Sequence, residues 1–288
     1  MTSPDDLPDN LIAFQGAPGA NSDIACRTAY PDMTSVPCNT FNDAFAAVQN
    51  GDVKLAMIPI DNTVAGRVAD IHHLLPESGL HIIGEHFERI NHQLLALPGT
   101  DISEIKEVHS HVHALNQCRG LIRELGVKAV VHADTAGAAS DVAKWGDKTK
   151  ASISSRLAAE VYGLEILRSD IEDAEHNTTR FVILSREASW PAPGAGDLIT
   201  SFVFRVRNIP AALYKAMGGF ATNGVNMTKL ESYVGEGFVV AQFYAEVEGH
   251  PEDTSLKLAL EELNFFSDEV KILGVYPANP YRKTAVTE

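Results

Sequence analysis

From residue 11 to residue 184, short apolar runs rich in β-branched residues alternate with stretches patterned for helices. This alternation limits the fold more than any other property of the 288-residue chain. Strand-like runs are read at 11–14, 54–60, 80–84, 90–97, near 107–110, and at 128–131, 150–153 and 179–184. Helix-patterned segments lie between them, one reaching Tyr30 and others at 41–49, 67–75, 114–125, 135–145 and 156–162. Such an order predicts a largely parallel sheet with covered faces, because parallel neighbours need crossover connections. In sheets of this class, groups that meet a ligand come from loops beyond the C-terminal ends of strands. Two α/β units followed by a late strand suggest two lobes joined by crossing segments, with a cleft between them.

Four polar loops sit where that fold places ligands. In Gln15-Gly16-Ala17-Pro18-Gly19-Ala20-Asn21-Ser22 the glycines let backbone approach a ligand, and Asn21 or Ser22 offers a cap to a helix whose N–H groups attract an anion. Its spacing matches neither a dinucleotide fingerprint nor a phosphate loop, so a small-molecule carboxylate is the better fit. Pro59-Ile60-Asp61-Asn62-Thr63-Val64-Ala65-Gly66 closes the second strand, and Thr135 is read as a hydroxyl cap in the loop 133–139. The fourth loop, Glu175-His176-Asn177-Thr178, runs straight into Thr179-Arg180-Phe181-Val182-Ile183-Leu184. Alone, it reads as a turn with a rim charge. Beside the other loops, it reads as the edge of a site.

Thirty-eight acidic against 23 basic residues give a formal charge of −15, which repels nucleic-acid backbones and anionic headgroups. A site for an anionic substrate must therefore draw local positive potential from arginines and helix N-termini. No run of about 18 apolar residues offers a membrane span. The start of the chain has no signal-peptide pattern. Three scattered cysteines, Cys26, Cys38 and Cys118, fit reduced thiols, so a cytoplasmic protein is expected.

His109, His111 and His113 would share one strand face and in principle could bind zinc. With no Cys or Glu in ligand register, no metal is expected. Residues 186–197 hold Pro191, Pro193, Gly194 and Gly196 without apolar periodicity and read as a linker. Beyond it, strands at 198–206, 225–234, 238–247 and 270–276 and helices at 210–221 and 252–265 spell βαββαβ, a ferredoxin-like arrangement. Gly235-Glu236-Gly237 reads as its hairpin turn.

From Leu11 to about Tyr276 the chain resembles prephenate dehydratase with its regulatory ACT domain. Asn177-Thr178-Thr179-Arg180-Phe181 matches the family's Thr-Arg-Phe signature, and 59–66 looks like its Pro-Ile-Glu-Asn-Ser/Thr loop. Ser110-His111-Val112-His113-Ala114-Leu115-Asn116-Gln117-Cys118 looks like its Ser-His-Pro-Gln-Ala-Leu-x-Gln-Cys segment. Asp61 stands for the usual Glu, Val112 for Pro and His113 for Gln. In the C-terminal part Ala211-Ala212-Leu213 replaces Gly-Ala-Leu, and Glu231-Ser232-Tyr233-Val234 replaces Glu-Ser-Arg-Pro.

The resemblance implies an α/β fold: a two-lobed catalytic domain like a type II periplasmic binding protein, plus a βαββαβ ACT domain. The expected boundaries are lobe one at 11–88 with 165–185, lobe two at 89–164, a linker at 186–197 and the ACT domain at 198–278. The implied reaction is decarboxylating dehydration of prephenate to phenylpyruvate in phenylalanine biosynthesis, without a cofactor. Thr179 is the expected catalytic donor. Asp61, Asn62, Thr63, Ser110, Gln117, Arg180 and Phe181 are expected to bind substrate or support the site, and helix-start geometry adds Ser22 and Thr135. Arg180 is a carboxylate clamp if it turns inward and structural if it turns outward, and Phe181 faces opposite to it. Phenylalanine as effector is expected near Ala212, Leu213, Asn226, Glu231 and Ser232 of a homodimer or homotetramer. An arogenate dehydratase or a non-catalytic ligand sensor are the alternatives.

Overall fold

The computed structural model describes residues 10–174, 176–207, 209–234 and 240–284. Residues 1–9, 175, 208, 235–239 and 285–288 lie outside them, and with them the expected hairpin turn Gly235-Glu236-Gly237. In chain order the elements are β1 (Leu11–Gln15), α1 (Asn21–Ala29), β2 (Thr34–Cys38), α2 (Phe41–Asn50), β3 (Leu55–Asn62), β4 (Gly66–Arg67), α3 (Ala69–Glu77), β5 (His81–Arg89) and β6 (Gln93–Ala96). There follow β7 (Glu107–His111), α4 (Val112–Gln117), α5 (Arg119–Leu125), β8 (Lys128–His132), α6 (Thr135–Trp145), β9 (Lys150–Ser154), α7 (Arg156–Tyr162), β10 (Glu165–Arg168) and β11 (Thr178–Ser185). The chain ends in β12 (Leu198–Val206), α8 (Ala212–Thr222), β13 (Met227–Val234), β14 (Val240–Glu248), α9 (Thr254–Phe266), β15 (Ser267–Pro277) and α10 (Tyr281–Thr284). Two compact units result. The first holds the chain up to Ile71 with His86–Phe181, and the second holds His72–Glu85 with everything from Val182.

The first unit is itself two-lobed, with one sheet per lobe. In one lobe the strands run β2-β1-β3-β11, and β1 is parallel to both its neighbours, as the alternation predicts. In the other lobe the order is β10-β6-β9-β7-β8. There β7 is parallel to β8 and β9, whereas β6 pairs antiparallel with β9 and β10. The expectation of parallel strands fails at β6 because it enters straight from the crossing segment, with no helix to bring the chain back to the same end. Residues 165–168, expected in lobe one, belong to this second sheet through β10. The helix expected at 114–125 is two helices broken at Cys118. The Asp173 carboxylate accepts from the N–H groups of Arg119 (2.9 Å) and Gly120 (3.0 Å) and so starts a fresh helix there. Leu94, Ala96, Val108, Leu115, Cys118, Ala151 and Ile153 form the buried core of this lobe.

The second unit has the βαββαβ order and the sheet order β13-β14-β12-β15, which is the ferredoxin-like arrangement. Phe202, Phe204, Phe243, Ala245 and Val247 face a core shared with Ala216 and Phe220 of α8 and Leu256 and Leu263 of α9. Tyr244 and Glu246, on the opposite face of β14, are buried as well. Tyr244 donates to Glu246 Oε1 (2.6 Å), and Arg282 of α10 bonds both Glu246 (2.9 Å) and Glu85 (2.8 Å). The unit also takes in the first half of β5. Gly274 of β15 pairs with Ile82, where a Cβ would overlap the Ile82 carbonyl. Residues 72–85, expected in the first lobe, therefore pack with the C-terminal elements. No described helix is long and apolar enough to cross a membrane.

Candidate active site

Within the first unit, the loops at the ends of β1, β3, β7 and β11 and the start of α6 enclose a cavity of about 270 Å³. Asn62, His92, Gln117, Thr179 and Phe181 line it, together with Ser22 at the start of α1, Thr135 at the start of α6, and His111 and His113. The loops singled out in the sequence thus meet at one place.

Asn62 holds the centre. Its carbonyl oxygen accepts the main-chain N–H groups of Val64 (2.9 Å) and Ala65 (2.7 Å), an Asx turn that closes the β3–β4 loop. Its amide nitrogen donates to Thr179 Oγ1 and to Asn177 Oδ1, both at 2.9 Å. Asn177 in turn donates to Gln117 Oε1 (2.9 Å), which also bonds His92 Nε2 (2.8 Å). Because Thr179 Oγ1 already accepts from Asn62, the hydroxyl keeps its own proton for donation, and among the described residues no acceptor takes it.

Residues alternate in facing along β11. Thr179 and Phe181 line the cavity, and Phe181 forms buried wall. Arg180 turns to the other face, where it is buried over the Phe87 ring (5.9 Å) with its guanidinium 3.6 Å from Asp61. Of the two orientations open to it, Arg180 takes the structural one, and neither it nor Asp61 lines the cavity. Asp61 is reversed relative to Asn62 for the same reason, since they are neighbours on β3.

Other expected residues act from behind. Thr63 accepts from Thr178 N (2.9 Å) and donates to the His176 carbonyl, tying the β3 loop to the start of β11. Ser110 is fully buried and donates to the Ile153 carbonyl of β9 (2.6 Å), away from the cavity. Neither Asn21 nor Ser22 caps α1. The N-cap is Ala20, without a side-chain bond, and the turn before it is held by buried Asp23, which accepts from Gly19 N (2.8 Å) and Ser35 (2.7 Å). Burial works against the Asp23 charge, but Arg27, the Gly19 N–H and Ser35 hold its carboxyl below the usual range. At α6 the cap is Asp134, and Thr135 is the first helical residue.

The three histidines do not share one face. His109 turns into the lobe against His132 (Nδ1 to Nε2, 3.1 Å) and Trp145, whereas His111 caps α4 and lies beside His113 at the cavity, their rings tilted and 5.0 Å apart. Burial pushes the His92 and His111 imidazoles below their ordinary pKa, and the neighbouring His113 lowers His111 further. His92 and Asn177 are site residues that sequence reasoning missed. One is an isolated imidazole in a crossing segment and the other reads as a turn amide, and nothing local marks either as a partner of Gln117. In the second unit Ala212 and Leu213 open α8, Asn226 precedes β13, and Glu231 and Ser232 lie along β13.

Comparison with known proteins decides the family. The family model described as prephenate dehydratase matches residues 12–189. The chain belongs to the prephenate dehydratase family. It is 56% identical to the bifunctional N-acyl-homoserine lactone acylase/prephenate dehydratase of Komagataeibacter europaeus, over 96% of this chain and 98% of that protein. It is 37% identical to arogenate dehydratase/prephenate dehydratase 1 of Arabidopsis thaliana, over 94% of this chain and 73% of that one. The structure of the prephenate dehydratase from Arthrobacter aurescens in complex with L-Phe superposes with a TM-score of 0.85 at 31% identity, covering 93% of this chain and 90% of that one. As an enzyme of this family, the chain is a lyase of aromatic amino-acid biosynthesis, and the ligand-sensor alternative falls.

Proposed function

We propose that the chain converts prephenate to phenylpyruvate, carbon dioxide and water, with the cavity around Thr179 as its active site. The observation that carries this reading is the Asn62-to-Thr179 hydrogen bond, which leaves the threonine proton available to a departing oxygen. As the ring aromatises, the electron pair of the bond to the ring carboxylate flows into the ring while the carbon–hydroxyl bond breaks. The prephenate dianion takes up one proton overall, so that hydroxide leaves as water. The Thr179 hydroxyl donates to the oxygen on which charge develops. Phe181 supplies an apolar wall beside the ring. No arginine or lysine lines the cavity among the described residues. The two substrate carboxylates are therefore read as held by the first-turn N–H groups of α1 and α6, near Ser22 and Thr135, with the His111 ring, whose Nδ1 accepts from His113 N, offering its Nε2–H as a further donor.

Asn62, Gln117, Ser22, Thr135 and Phe181 belong to this site as binding residues; Asp61, Thr63, Ser110 and Arg180 support it from behind. The test is phenylpyruvate formation from prephenate, assayed beside arogenate. Thr179→Ala is expected to abolish turnover with circular dichroism unchanged, and Thr179→Ser to retain part of it. A fully active Thr179→Ala would end the assignment.

The βαββαβ unit is read as an ACT domain binding phenylalanine near Ala212, Leu213, Asn226, Glu231 and Ser232 in a homodimer or homotetramer. Support comes from its topology and from the L-Phe complex of the Arthrobacter relative. Titration calorimetry with phenylalanine and light scattering test both parts. The Komagataeibacter protein is also described as an acylase, and a solved structure with TM-score 0.89 and 56% identity, GqqA, is described as a quorum quenching acylase. A second reading therefore gives this chain acylase activity toward N-acyl-homoserine lactones. Release of homoserine lactone from such a substrate is its test.

A further inference from the structure

We infer that Asn177 and His92 are positioning residues for Thr179, acting through one hydrogen-bonded chain whose polarity is set by main-chain N–H groups. The inference rests on Thr179 being the donor proposed above. Its geometry does not.

Amide groups can be turned over and imidazoles can change tautomer, so a chain of side chains has no direction until one member is fixed. Here the β3–β4 loop fixes it. The N–H groups of Val64 and Ala65 can only donate, and both point at Asn62 Oδ1. Asn62 must therefore present its NH₂ to Thr179 and Asn177. The atom of Asn177 that meets this NH₂ must be its oxygen, so its own NH₂ meets Gln117. Gln117 must then offer its oxygen, and His92 must donate to it from Nε2. Each assignment follows from the one before, and the last selects the Nε2–H tautomer of His92.

At the other end, both hydrogens of the Asn62 amide are engaged. Thr179 Oγ1 is thereby an acceptor in the chain, and its proton is turned toward the cavity. Asn177 is 1% exposed and His92 3%, so water does not substitute readily for either. Removing Asn177 frees one Asn62 hydrogen, loosens the amide that aims Thr179 and leaves Gln117 free to turn. Hydrogen bonds linked in series polarise one another in a low-dielectric interior, so the loss falls on the step in which charge develops.

Two measurements test this. In ¹⁵N-resolved spectra of the full-length protein near neutral pH, His92 is expected as the Nε2–H tautomer. The Nδ1–H tautomer would overturn the chain's polarity whether or not the protein turns over prephenate. In steady-state assays Asn177→Ala is expected to lower kcat by roughly tenfold or more with KM changed by less than about threefold, the pattern of an interaction made in the transition state. His92→Met is expected to lower kcat with KM unchanged. His92→Gln keeps a donor at the same reach and restores most of that loss, which a purely packing role for the ring would not produce. Loss of the fold in Asn177→Ala would shift the decision to the two His92 variants. Equal kcat in His92→Met and His92→Gln, or a change confined to KM, would overturn the inference. Absence of turnover in the wild type would instead overturn the reading of Thr179.

Discussion

Arg180 lies 3.6 Å from Asp61 on the face of β11 turned away from Thr179, with its guanidinium over the Phe87 ring. A buried arginine in this setting holds strand to strand, and removing it takes a charge partner from Asp61 in a partly buried place. Arg180→Ala is therefore expected to cost about 2 kcal/mol of stability, read as a lower urea midpoint. KM for prephenate should change by less than about threefold. A large rise in KM with stability intact would return Arg180 to the role of carboxylate clamp.

Gly19 carries φ of +84°, and a Cβ there would lie 2.7 Å from Ala158 Cα of α7. This close approach joins the two lobes on one side of the cavity. The Ser155 hydroxyl donates to the Gly19 carbonyl and the Tyr162 hydroxyl to that of Pro18 (2.9 Å). Gly19→Ala combines an unfavourable backbone region with a backbone overlap, so the lobes must separate locally. The expected result is a loss of about 1–3 kcal/mol in urea titrations, together with a rise in KM. A variant as stable as the parent would show that the contact yields freely.

Much of this site was legible in advance. Strand-end loops, their amides and hydroxyls, and the Thr179 junction follow from residue type and periodicity, which act locally. The facing of Arg180 did not follow, because alternation tells which residues of a strand share a face but not which face meets the cavity. Asn177 was read as a turn residue because its value lies in Gln117, 60 positions away. The cap of α1 was misassigned because Asp23, inside the helix, satisfies the turn that Asn21 or Ser22 would otherwise have served. Residues 72–85 joined the C-terminal unit through Gly274 and Arg282, contacts that no local pattern announces.

Ala211 adopts φ of +62° immediately before α8. A Cβ in the left-handed region carries a steric cost that glycine avoids, and this outweighs the entropy glycine adds to the unfolded chain. Ala211→Gly is therefore expected to raise stability by about 1 kcal/mol, seen as a higher urea midpoint with an unchanged slope. A fall in the midpoint would show that the surrounding turn has adapted to alanine.

Acid should weaken the fold before the carboxylates titrate. Burial is the first cause holding His92, His109 and His111 below the ordinary imidazole value of 6.5, opposed at His92 by Gln117 and Glu172 and reinforced at His109 by His132. The folded state therefore binds fewer protons than the unfolded chain once pH falls through about 6.5. Stability is fully present above that value and declines below it, until the folded-state pKa of each group is reached. Between about pH 7.5 and pH 5.5 the three together should remove roughly 1–3 kcal/mol, the range allowing for partial solvent access. Asp23 adds to the loss only near pH 4 and below, where the unfolded carboxyl takes up a proton while the folded one, held below the usual range, stays charged. His109→Phe keeps a ring against Trp145 while removing one of the three titrating groups, so it should flatten the dependence by about a third. Urea midpoints that do not move between the two pH values, or an unchanged slope in His109→Phe, would show that these imidazoles already bind protons in the folded state.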